Sequence, residues 1–518
     1  MFYTLGRCLP FVFSLTFTVE AQSRRIPDRH ATMNLDAIAR ASTLLTASPA
    51  IHRPIRVPVR VAATAKAGPT PASAPPRQTG AAIHTGFPAL VDQYLSTPPD
   101  TQGAVGPNDV VSMVNSEVLI QSRGGSARSN YPVPLQQFWG SLGTFTKLFD
   151  PRLLYDGAND RWLASCGANP DAADAALLLA VSQTGDPAGA WDLFEVQIGP
   201  SGYWADYPVL GFNRDWIVLS ANLLQLPPAG GYARTDLYVF DKAALYQTRK
   251  ARYTTFSDSQ GELAPVVDLD GSSSTFYFAQ SSGDSSGGSV RIGALKGPVG
   301  AESFDAGAIS IAMPASWAGT SPDGSDFAPQ SGSWFKVDTG DSRLQNCVLR
   351  GGAMWCAQTI YLPADAPNRS SIQWFAADPA AGKLLQYGRL DDPSRTMFYA
   401  FPSIAVNRNN DVLIGYTRFT TADYPSAGFA FRRASDAAGV MQPGAVAKAG
   451  EAPYVGRGAD ESSNRWGDFS ATVVDPTDGI TFWTIQEYAA VPTDYYPGRW
   501  ATWWAAVSIP QSPHSKSR

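Results

Sequence analysis

The sequence predicts an all-β fold, a β-propeller of seven blades, and three observations carry that reading. The 518 residues hold 46 glycines and 40 prolines beside 11% aromatic residues, a balance that favours short strands and tight turns over long helices. A degenerate unit recurs seven times along the chain. The last copy is one strand short, and a closed ring would take the missing strand from the N-terminal side of the body.

Residues 1–21 read as a signal peptide: Arg7, an apolar run from Leu9 to Val19, and the small residues Val19 and Ala21 before a cut between Ala21 and Gln22. Export to a secreted or periplasmic location is the expectation. The apolar run is about half of the roughly 20 residues a spanning helix needs, and no later segment comes closer, so no membrane span is expected.

Residues 22–90 form a basic, Ala/Pro-rich extension and linker. Nine Arg or Lys stand against two acids there, a surplus of seven. Val57 to Gly80 has too few large apolar residues to offset the entropy of ordering and reads as linker. Upstream, Leu35, Ile38 and Leu45 fall at helical spacing and predict one short amphipathic helix. A tether and a removable pro-segment both stay open. With the whole chain at −5 and the signal peptide neutral, residues 91–518 carry −12. Such a body repels nucleic acid and anionic lipid, so neither is an expected partner, and a monomer is expected.

The body spans 91–510, ahead of a disordered tail at 511–518. In each unit an Asp or a Pro leads into a short apolar strand, then a polar Asn/Asp/Gly turn, then a strand rich in aromatic and β-branched residues. The copies begin at Asp100, Asp150, Asp206, Ala264, Asp341, Phe401 and Asp468, spaced 50, 56, 58, 77, 60 and 67 residues apart. A four-stranded blade needs roughly 40–50 residues, so seven copies predict seven blades, with six as the alternative count. The longest interval holds Ser281–Ser289 and Pro314–Ser333, which read as surface insertion. After Asp468 only about three strands remain, and a strand near Ile83 to Leu90 would supply the fourth.

The cysteines test the hairpin logic. Cys347 and Cys356 flank Gly351-Gly352, and a two-residue turn there pairs Arg350 with Ala353 and Cys347 with Cys356. That places the cysteines on a non-hydrogen-bonded pair, whose close Cα atoms suit a disulfide. Cys166 is then an unpaired buried thiol.

The four histidines, His30, His52, His84 and His514, all lie outside the repeats. Imidazole-based nucleophilic triads and zinc or copper sites are therefore not expected in the body. Nor does the sequence hold a P-loop or a dinucleotide fingerprint. Carboxylates, tyrosines and arginines remain. Asp100, Asp150, Asp206, Asp341 and Asp468 share one register and would converge on one mouth, either to bind a ligand or to cap their own turns. Arg152, Arg343 and Arg465 stand beside that register, where they would clamp a ligand carboxylate or neutralise the neighbouring Asp. Glu487 and Tyr207 are the single-copy candidates for catalytic base or nucleophile. Asp268-Leu-Asp-Gly begins like a calcium loop but lacks the acid at the twelfth position and reads better as a turn, so no cofactor is expected beyond calcium at most.

Thr97 to Asp109, Pro-Pro-Asp-Thr-Gln-Gly-Ala-Val-Gly-Pro-Asn between them, and Arg465-Trp-Gly-Asp-Phe-Ser-Ala-Thr-Val-Val-Asp-Pro-Thr-Asp-Gly resemble a family of uncharacterised secreted bacterial β-propeller-like proteins, over about residues 95–508. Thr184-Gly-Asp186-Pro-Ala-Gly189-Ala-Trp191 is similar to an Asp box of the sialidase-type propellers, with one extra residue between Asp and Gly. Asp boxes are structural turns, so this likeness implies fold and not catalysis. Three functions stay open: a non-catalytic binding module for polysaccharide or a cell-surface protein, a sialidase-like glycoside hydrolase or lyase, and an extracellular structural or adhesion protein.

Overall fold

The computed structural model of the chain describes residues 24–45, 80–198, 202–282, 288–456, 463–493 and 498–510. The predicted signal peptide with its Ala21–Gln22 cut, the tail at 511–518 and the linker up to residue 79 lie outside them. The described residues are all-β, with seven antiparallel meanders in chain order and only short helices between them; short parallel pairings of leading strands join the third, fourth and fifth meanders into one 12-stranded sheet.

Sheet one is built from Gln102–Val105, Asp109–Met113, Glu117–Ser122 and Val133–Pro134. Sheet two runs Leu148–Asp156, Arg161–Ala168, Ala176–Ser182 and Ala190–Gln197, and Arg29–Asn34 adds a fifth, outermost strand. Sheet three comprises Tyr203–Phe212, Trp216–Gln225, Tyr232–Asp241 and Tyr253–Asp258; sheet four comprises Ala264–Asp268, Phe276–Ser282, Ser289–Lys296 and Ser303–Ala312. Leu344–Arg350, Ala353–Leu362, Arg369–Asp378 and Lys383–Leu390 form sheet five, and Met397–Val406, Val412–Thr420, Ser426–Arg432 and Gln442–Lys448 form sheet six. In sheet seven Ala471–Val474, Phe482–Ala490 and Arg499–Ser508 are completed by Ala82–Val91, which pairs with Arg499–Ser508. The predicted closing strand is thus present, and it comes from the N-terminal side of the body.

The first strand of each sheet packs against the first strand of the next, and that of sheet seven against that of sheet one. Apolar clusters fill every one of these contacts. Trp374 and Ile414 meet between sheets five and six, Phe431 and Val507 between six and seven, and Val105, Val110, Trp483 and Trp504 between seven and one. Strands covered on both faces carry near-continuous apolar runs, as in Ala176–Ser182, where every residue is buried. A cavity of about 320 Å3 is lined by residues of all seven leading strands, among them Ala104, Leu154, Phe212, Val267, Val348, Ala405 and Thr472.

Leu35–Leu45 is the predicted helix; Asn34 Oδ1 accepts from the Ala37 N–H at 2.9 Å, and Leu35 and Ala39 are buried. The hairpin register is as predicted: Arg350 opposes Ala353, Cys347 opposes Cys356, and the disulfide joins them across a Cα separation of 4.3 Å. Cys166 is free and buried. The insertion between sheets four and five differs from the surface loop expected. Trp317, Phe327, Ala328 and Val337 are buried, because this segment bridges to Tyr361 and covers apolar surface beside sheet five.

Candidate functional site

Asp100, Asp150, Asp206 and Asp468 lie at or near the N-terminal ends of leading strands. In three sheets the ladder skips two residues just inside the leading strand: Asp150-Pro151, Tyr207-Pro208 and Phe401-Pro402. Proline cannot donate to a ladder, so a bulge accommodates it, and the residue before it turns into the left-handed region at φ 52°, 50° and 54°. Asp100 adopts the same conformation at φ 52°. Asp100 and Asp150 share this conformation, whereas Asp468 lies three residues ahead of its strand without it. Asp206 stands one residue earlier, its place taken by Tyr207, and Asp341 lies three residues ahead of its strand.

Asp100, Asp150 and Asp468 come together, each offering an oxygen within 4.8 Å of the others. Asp100 Oδ1 accepts from the Asp468 N–H at 2.9 Å and Oδ2 from Asn115 Nδ2 at 2.6 Å, while Asn115 Oδ1 accepts from the Asp150 N–H at 2.8 Å. Burial, then the charge of Asp468, pushes the Asp100 carboxyl up to about 6. Asp150 is raised well above the usual carboxylate range, by burial first and then by Asp100 and Asp206. Three carboxylate oxygens this close are of the type a hard cation takes, and are half or fewer of the roughly 6–8 that calcium coordinates. Only Asp468 is open to solvent, because Asp100 and Asp150 are 2% and 6% exposed.

The arginines are already engaged. Arg465 Nη2 donates to both oxygens of Asp468 at 2.7 and 2.8 Å. Arg343 forks onto Asp341, Nε to Oδ1 at 2.8 Å and Nη2 to Oδ2 at 2.7 Å. Arg152 donates from Nε to the Pro208 carbonyl at 2.7 Å and lies 3.5 Å from the Phe469 ring centre. Arg343 in turn lies 4.0 Å over the ring of Tyr207. Glu487 and Tyr207, each 3% exposed, are buried rather than open to solvent. Glu487 Oε1 accepts from Thr101 Oγ1 at 2.7 Å, and burial holds its carboxyl well above the usual range.

Beside Arg343 opens a cavity of about 340 Å3 between sheets three, four and five, with Gly319 and Thr320 of the insertion as part of its wall. Asp341, Arg343 and Glu262 line it together with Asn222, Tyr232, Gln260, Gln280, Ser281 and Ser342. Glu262 Oε2 approaches Arg343 Nε at 3.4 Å, whereas Oε1 has no hydrogen-bond partner. Burial outweighs the Arg343 charge and lifts Glu262 to about 8. For Asp341 the balance reverses: burial raises it, but the charge and paired bonds of Arg343 together hold it below its ordinary value.

No family model and no curated protein matches the chain. Solved structures similar to it include a Synechocystis apocarotenoid oxygenase, at TM-score 0.39 and 7% identity over 69% of this chain and 76% of that one. An α-L-arabinofuranosidase from Fusarium graminearum gives TM-score 0.37 and 10% identity over 82% and 98%. The GH43 endo-arabinanase from Bacillus licheniformis gives 0.29 and 10% over 67% and 97%. Likenesses this weak leave the function to the chain's own residues.

Of the residues singled out by sequence, the fold gathers Asp100, Asp150 and Asp468 into one cluster and sets Asp341 and Arg343 on the open cavity. Glu262 was missed. It precedes the one repeat that starts on Ala rather than on an acid or an aromatic, three residues before Pro265, and that offset was its only signal. Asp268 forms a turn, Oδ1 accepting from the Asp270 and Gly271 N–H groups and Oδ2 from that of Ser273. The Asp-box-like segment also forms a turn: Asp186 Oδ1 accepts from the Ala188 N–H and Trp191 Nε1 donates to the Pro187 carbonyl.

Proposed function

We propose that the protein is an exported seven-bladed β-propeller that binds a neutral carbohydrate in the cavity beside Arg343. The cyclic packing of the leading strands, the apolar cluster at the contact between sheets seven and one, and the cavity shared by all seven strands support the seven-blade reading.

One observation carries the ligand class. Asn222, Gln260, Gln280, Ser281 and Ser342 line one open cavity with amide and hydroxyl groups. Amides and hydroxyls together donate and accept, so they suit a ligand that does both. Sugar hydroxyls do both. Tyr232, 45% exposed at the same cavity, offers an aromatic face to a pyranose or furanose ring. Arg343, the guanidinium at this cavity, is taken up by Asp341, and that favours a neutral sugar over the sialic-acid-type ligand, which needs a free guanidinium.

The test is a glycan array probed with the full chain, followed by calorimetric titration of the best glycan into wild type and Tyr232→Ala. Binding that weakens about tenfold or more in the variant supports the reading. A chain that binds no glycan, or a variant that binds as wild type does, overturns it.

A further inference from the structure

The cavity beside Arg343 presents two carboxylates to one guanidinium. Arg343 gives its fork to Asp341, through Nε and Nη2, and offers Glu262 only the 3.4 Å approach of the same Nε. Arg152 and Asp206 also act on Glu262, one lowering and one raising it, so two cations face three carboxylates and the least solvated one keeps a proton. That one is Glu262, whose Oε1 is enclosed and unpartnered. Its titration near 8 and the lowered value of Asp341 agree with this division. Two carboxyl groups in one site whose surroundings drive them to opposite protonation states are what acid–base catalysis uses.

We propose that Glu262 and Asp341 are an acid and nucleophile pair that hydrolyses a glycosidic bond of a neutral oligosaccharide with retention at the anomeric carbon. This rests on the reading of the cavity as a carbohydrate site. The geometry favours retention. The two carboxylates reach the same Nε at 3.4 and 2.8 Å, so the oxygens concerned are closer together than the roughly 6.5–9.5 Å that an inverting pair needs to admit a water. In the first step an Asp341 oxygen bonds to the anomeric carbon as the glycosidic C–O bond breaks, and the Glu262 proton passes to the departing oxygen. In the second, water gives a proton to Glu262, its oxygen bonds to the anomeric carbon, and the Asp341 ester bond breaks. Glu262 and Asp341 return to their starting states and one water is consumed, its oxygen left on the anomeric carbon and its proton on Glu262 in place of the one given to the departing oxygen. Arg343 is the positioning residue that holds Asp341 ionised. The deeper cluster has similar chemistry but no comparable access, since Asp100 and Asp150 are buried.

The experiment offers the full chain the array's best glycan, and its 4-nitrophenyl glycoside, and follows released reducing sugar and nitrophenolate. Wild type is expected to cleave both. Glu262→Gln, which removes no hydrogen bond made by Glu262 in the protein, should lose about 10²–10⁴-fold on the glycan and far less on the nitrophenyl substrate, whose leaving group needs no acid. It should also lose the basic limb of the pH profile. Asp341→Gly should abolish cleavage, and sodium azide should restore nitrophenolate release. A melting curve checks that each variant is folded. A glycan that binds but is never cleaved, or cleavage unchanged in Glu262→Gln, overturns the catalytic pair and leaves the binding site standing. If no glycan binds, both fall.

Discussion

The proposed ring would close through a contact between segments some 400 residues apart in sequence, in which Trp504 is a central residue. Trp504 is fully buried in sheet seven, and its Nε1 donates to Ser112 Oγ of sheet one at 2.8 Å. Its ring covers Gly103: a Cβ there would stand 2.9 Å from Trp504 Cη2 and closer still to Cζ2. Gly103→Ala should therefore overpack the contact and cost about 1–3 kcal/mol. Trp504→Ala should cost about 3–5 kcal/mol through the cavity it leaves, with the unpaired Ser112 hydroxyl adding to the loss. In the double variant the new methyl enters space the indole has vacated, so the Gly103 penalty should vanish or reverse. The cycle thus predicts a coupling of about 1–3 kcal/mol, read by urea unfolding followed by far-UV circular dichroism. Effects that add to within about 0.5 kcal/mol would mean that the two residues do not touch, and the seven sheets would then not close on one another.

Two further outcomes follow from buried groups. Asp100 and Asp92 titrate near 6 and Glu117 near 7, all raised chiefly by burial. A carboxyl raised in the folded state keeps a proton that the unfolded chain releases. Its contribution is therefore intact below about pH 4 and is lost as pH rises through 6 to 7; a move from 3.8 to about 6 corresponds to about 3 kcal/mol. The melting temperature should fall from pH 5 to pH 8, and a flat or rising profile would contradict the burial of these acids. For the hairpin disulfide, the short loop between Cys347 and Cys356 limits the stabilisation to about 2–3 kcal/mol, so a double Ser variant should fold with a lowered melting temperature. In that variant Cys166 should resist a thiol reagent until the protein unfolds; prompt reaction would show it is not in the core.

What could be read from the chain was whatever is local. The cysteine hairpin followed from two glycines and a parity argument, because both partners and the turn lie within ten residues. The seven units were visible because each leading strand meets the same demand, an apolar run followed by a polar turn; Asn213, Asp268, Asn407 and Asp475 cap those turns through their side chains. The closing strand near Ile83 was inferable from the count alone. What failed depends on distant neighbours or on single-residue offsets. The bulge that puts Tyr207 where Asp150 stands in sheet two is invisible without the paired strand, since both copies read Asp, then Pro within two residues. Arg29–Asn34 hides in a basic segment because an edge strand has only one partner, Ala190–Gln197, to satisfy. Glu262 acquires its character from Arg343, 81 positions away, which no local pattern announces.

The central claim is that the cavity beside Arg343 holds the sugar. A crystal structure of the protein soaked with its best glycan tests it directly. A sugar ring against Tyr232, with its hydroxyls bonded to the amides and hydroxyls that line the cavity, is the expected result. Glycan found instead at the opposite ends of the leading strands, beside Arg350 and Arg408, would contradict it.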